Sequence, residues 1–185
     1  MYALLRSRLR DQAGFGMVEL LCAMGVMSIG VMAVYAMFES STVQIKRAST
    51  VSTAAALAGG EMESFRAVKY ETIGLAETDV SAADGTYTGD AAFRAVSSPV
   101  NQTDSTVVLA KCPATPCTNA VPTRNVTGAD GKSYRVDTYV TWQTVTNSAG
   151  TAGRNVKLIT IVVRDATTAR AYARISSAFD ESTGL

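Results

Sequence analysis

The chain has 185 residues, a net charge of +1, 47% hydrophobic and 18% charged residues. It is too apolar for a disordered chain and too balanced in charge for a nucleic-acid binder, so one modest domain behind an anchor is expected, with no nucleic-acid partner. Histidine is absent, which removes Ser-His-Asp and Cys-His catalysis, and no carboxylate pair or Gly-rich phosphate loop replaces them. Neither an enzyme nor a cofactor is therefore expected.

Residues 1–14 form a short basic leader in which Arg6, Arg8 and Arg10 are opposed only by Asp11. Such a segment stays on the cytoplasmic side of a membrane. An ordinary secretory signal carries its apolar core ahead of a small-residue cleavage site and loses that core on processing. Here the small residue, Gly14, precedes the apolar run. Cleavage after Gly14 leaves Phe15 as the first mature residue and keeps the whole hydrophobic segment as an anchor.

The 15–38 stretch is about 36 Å long as a helix at 1.5 Å per residue, enough to cross a hydrocarbon core of about 30 Å. Its one charge is Glu19, directly ahead of the uncharged run Leu20–Phe38. A carboxylate at the centre of a bilayer costs roughly 2.5 to 3.5 kcal/mol, less near the edge, so Glu19 calls for a partner. The helix dipole supplies part of the answer, about 0.3 to 1 kcal/mol for an acid in the first turn. Gly25, Ser28, Gly30 and Ala33 either let neighbouring helices approach closely or are simply tolerated in a membrane helix. Cys22 reads as a small hydrophobe.

The leader, Gly14 followed by Phe15, Glu19 as fifth mature residue and the apolar helix together resemble the type IV pilin family. The resemblance implies that a prepilin peptidase cuts between Gly14 and Phe15 and methylates the new amine of Phe15. It also implies assembly into a filament, with Glu19 meeting the charged N-terminal amine of Phe15 on a neighbouring subunit. The implied partners are the peptidase, other pilin or pseudopilin subunits, a membrane assembly platform and membrane lipid. The implied location is a single pass in the cytoplasmic membrane with the C-terminal domain extracytoplasmic, then a cell-surface or periplasmic filament.

Beyond Phe38 the composition turns polar while helical spacing persists through Val51, Ala55, Ala58, Met62 and Phe65. No proline occurs before Pro99, so one helix to about Tyr70 is predicted, with 39–72 as its amphipathic half. Gly59-Gly60 is its weak point, at about 1 kcal/mol per glycine relative to alanine, and a bend or local melting is expected there. Many major pilins bend the membrane half at a proline, which this chain lacks. The Ala54–Ala58 run, Glu61-Met62-Glu63, Phe65-Arg66 and Tyr70-Glu71 are similar to PilV-type minor pilins.

Residues 73–185 form the expected globular domain. Within it, 77–125 reads as irregular, with a turn at Gly85–Gly89 and a short strand at Thr106–Lys111. Cys112 and Cys117 enclose four residues including two prolines. Once exported, the pair is expected to close a small disulfide contributing about 2 kcal/mol. A zinc site lacks its usual donors, since there is no histidine and no second cysteine pair, so no metal is expected. Tyr134, Val136, Thr138, Val140 and Trp142 alternate with Arg135, Asp137, Tyr139, Thr141 and Gln143, the mark of a half-buried strand. Runs at Val156–Arg164 and Ala169–Phe179 follow, giving three consecutive antiparallel strands.

The expected fold is α+β: a long N-terminal helix, hydrophobic then amphipathic, packed on a C-terminal antiparallel sheet as in pilins. The expected function is that of a minor type IV pilin that joins or primes a filament. A minor pseudopilin of a type II secretion or competence filament is the alternative within the class, and a signal-anchored adhesive or binding domain the alternative outside it.

Overall fold

The computed structural model describes residues 16–95, 104–109, 121–146 and 152–181. The chain divides into two compact units, Met1–Arg47 and Ala48–Leu185. Helix α1, Met17–Arg66, supplies the described part of the first unit and the opening element of the second. Gly59 and Gly60 do not interrupt it, so the expected local melting is absent. A methyl group added at either position would meet nothing within 4 Å.

Strands β3 (Thr123–Thr127), β4 (Ser133–Thr146), β5 (Ala152–Asp165) and β6 (Ala171–Phe179) form an antiparallel sheet in that order. The sheet thus has four strands where three were expected, because β3 falls in a stretch without apolar alternation. Its register sets Val136 against Val163, Thr138 against Ile161 and Val140 against Ile159. These positions share one face with Tyr134, and α1 buries that face with Ala54, Ala58, Met62 and Phe65. The expected stripe is observed at Ala58, Met62 and Phe65 and is one residue out only at its start. Thr50 and Ala54 point inward, whereas Val51 and Ala55 are exposed. The two inward alanines have no exposed surface, so the helix backbone lies close to the strands.

The opposite face is covered too. After α1, a 3-10 turn at Tyr70–Thr72 leads to β1 (Leu75–Ala76), α2 (Glu77–Ser81) and α3 (Gly85–Thr88). The expected turn at Gly85–Gly89 is α3, a single helical turn whose N-cap Asp84 accepts the Tyr87 N–H at 3.0 Å. Tyr87 stacks on Tyr139 with centroids 4.3 Å apart and donates its hydroxyl to the Thr138 carbonyl at 2.8 Å. With Val162 they form a second apolar cluster, joined by Ala83, Ala92 and Phe93. Hence β4 is buried on both sides, and alternation alone understated its burial. β2 (Val108–Leu109) pairs in parallel with β1, and Thr106 bridges Thr141, so part of the expected Thr106–Lys111 strand is present.

Charge reinforces this second layer. Asp137, fully buried, accepts the Arg135 Nε at 2.7 Å and the Arg164 Nε at 2.9 Å. Arg135 continues to Asp84 at 2.7 Å, and Arg164 and Arg174 meet on Asp90. The Arg135 guanidinium holds the Asp84 carboxyl well below the usual carboxylate range. Burial opposes ionisation of Asp90, yet Arg174, the Ala92 N–H and Arg164 together keep its carboxyl below the ordinary value. Three aspartates and three arginines thus tie 84–90 to strands β4, β5 and β6.

Two sets of variants test this packing. At Gly128 an added Cβ would lie 2.6 Å from Tyr134 and 2.7 Å from Thr53, so Gly128→Ala should lower stability by about 1 to 3 kcal/mol in chemical denaturation. Gly59→Ala and Gly60→Ala, placed in open helix, should each raise it by about 1 kcal/mol. Asp137→Ala removes the buried carboxylate that Arg135 and Arg164 share, each of which keeps a second aspartate, and should cost about 1 to 3 kcal/mol.

Candidate functional site

The N-terminal part of α1 presents apolar side chains on every side. Val18, Leu21, Val26, Ile29 and Met32 are all more than half exposed, and nothing among the described residues covers the most apolar 18-residue window. The segment is long and apolar enough to cross a membrane. Its hydroxyl groups are satisfied internally: Ser28 donates to the Met24 carbonyl at 2.8 Å, Ser41 to Met37 at 2.9 Å and Thr42 to Phe38 at 3.0 Å. This back-bonding lets hydroxyls sit on the helix surface without requiring water. Gly25 and Gly30 leave open space beside the backbone.

Glu19 lies in the first turn, exposed, beside the helix's opening hydrogen bond from Leu20 N–H to the Gly16 carbonyl at 3.1 Å. It has no partner among the described residues. Gly14 and Phe15 lie outside the described residues, as do Cys112 and Cys117. Cys22 is an exposed free thiol on the same helix. No group of three potential metal ligands occurs among the described residues.

Residues 9–35 match the family model described as the prokaryotic N-terminal methylation motif. The matched segment spans the Gly14-Phe15 junction, Glu19 and most of the apolar helix, and it supports a prepilin-type chain related to type IV pilins and pseudopilins. No curated protein and no solved structure gives a significant match.

A second cluster escaped the sequence reading because it draws on three separate segments. Lys157, almost fully buried on β5, donates to the carbonyls of Tyr70 at 2.7 Å and Ile73 at 2.8 Å. Its ammonium lies 4.5 Å from the Tyr70 ring centre and 5.4 Å from that of Trp142. These bonds hold the chain after α1 in a turn, and the helix stops at Arg66 rather than Tyr70. A lysine amid apolar strand residues is the one local signal that pointed here.

Burial pushes the Lys157 ammonium down to about 8, with Glu71 opposing. Between that value and the ordinary 10.5, the unfolded chain holds a proton that the folded lysine has released. Stability from this group therefore rises with pH across the window, by at most about 1.4 kcal/mol per pH unit. Buried tyrosines act oppositely above about pH 10, so urea midpoints compared at about pH 7.5 and 9.5 isolate the effect. Lys157→Met should abolish the rise.

Proposed function

We propose that this chain is a minor type IV pilin, cut by a prepilin peptidase between Gly14 and Phe15, methylated on the Phe15 amine and assembled into a filament. The observation that carries this reading is the coincidence, in one segment, of the methylation-motif match over residues 9–35 and an unpartnered Glu19. Before assembly the helix spans the cytoplasmic membrane with its apolar surface against lipid. On assembly, lipid gives way to the helices of neighbouring subunits, delivered by a membrane platform, and Glu19 meets the Phe15 amine of a neighbour. That contact offsets the desolvation of both charges, which neither lipid nor a helix dipole of about 0.3 to 1 kcal/mol does alone. The lack of a proline in α1 and the resemblance around Glu61-Met62-Glu63 favour a minor subunit. Cys112 and Cys117 would close their disulfide after export.

Mass analysis of the membrane-extracted protein, from cells with and without their prepilin peptidase, tests the reading. The mature chain should begin at N-methylated Phe15 only when the peptidase is present, and Gly14→Arg should block the cut. Retention of Met1, or cleavage beyond the apolar segment, overturns it. Glu19→Ala should reduce filament incorporation severely, as expected for loss of a buried pair worth about 3 to 5 kcal/mol.

A further inference from the structure

We draw no further inference here: the strongest candidate, the cavity lined by Tyr70, Trp142 and Lys157 beside the turn that follows α1, carries nothing, because its ammonium is bonded to two backbone carbonyls and has Glu71 acting on its charge, and nothing in the structure shows what would fill it.

Discussion

The close approach of α1 to strands β4 and β5 is the constraint on which the second unit depends. Ala54 and Ala58 have no exposed surface, and alanine at the contact lets the helix backbone settle onto the β-branched surface of Val136, Val140, Ile159 and Ile161. Below them Met62 and Phe65 fill the wider space toward the helix end. Interiors pack near crystal density, so one methylene in excess at either alanine would displace the helix along its length. The other contacts of the helix follow from that distance. Lys132 reaches Thr50 at 2.6 Å, Glu61 meets Arg124 on the edge strand, and Gly128 passes Thr53 with no room for a Cβ.

The second face of the sheet is held by different means. Tyr87 and Tyr139 supply apolar area, but α2 and α3 together span only nine residues and bury few aliphatic side chains. Ion pairs carry specificity where bulk is scarce. A buried salt bridge adds little net stability against a hydrophobic replacement, because desolvation nearly cancels attraction. Its consequence is register: Asp137 accepts from Arg135 and Arg164 only when β4 and β5 pair as observed, and Asp90 is reached by Arg164 and Arg174 only when β6 follows in step. A slip of one residue would turn every one of these groups to the opposite, apolar face.

The legible part of this chain was where periodicity is strong and local. Helix α1 announced itself by an apolar run followed by 3.6-residue spacing, and β4, β5 and β6 by alternation of β-branched residues. What sequence did not reveal has physical reasons. The start of the stripe on α1, at Val51 and Ala55, was set one residue off because Thr50 faces inward to meet Lys132 and Tyr134, a preference made by tertiary contacts and invisible in hydropathy. Strand β3, Thr-Arg-Asn-Val-Thr, holds one apolar residue and gains its ladder from β4, not from its own composition. The cover over Tyr139 comes from Tyr87, with Ala83, Ala92 and Phe93 beside it, out of a segment without periodicity. At the N-terminus the reverse holds. The motif matched over residues 9–35 was readable because its pattern is sequential, a junction and one charge.

Glu19 and Lys157 present the same problem with opposite signs, and among the described residues the fold answers it, in part, for only one of them. Lys157 is buried, and two carbonyls and two rings within a few ångströms offset part of the cost of its charge, while burial still pushes the ammonium down to about 8. Glu19 stands at the head of an uncharged run, and among the described residues only the amide dipoles of its own first turn answer it. A helix whose circumference is apolar from Leu20 to Phe38 is unfavourable in water at roughly 25 cal/mol per Å² of exposed apolar surface. The same helix in hydrocarbon leaves the carboxylate expensive. No single solvent suits both features. The environment that does is an apolar one containing a fixed positive charge at the level of the first turn. A set of identical or related helices, each beginning in a cationic amine near that level, is such an environment.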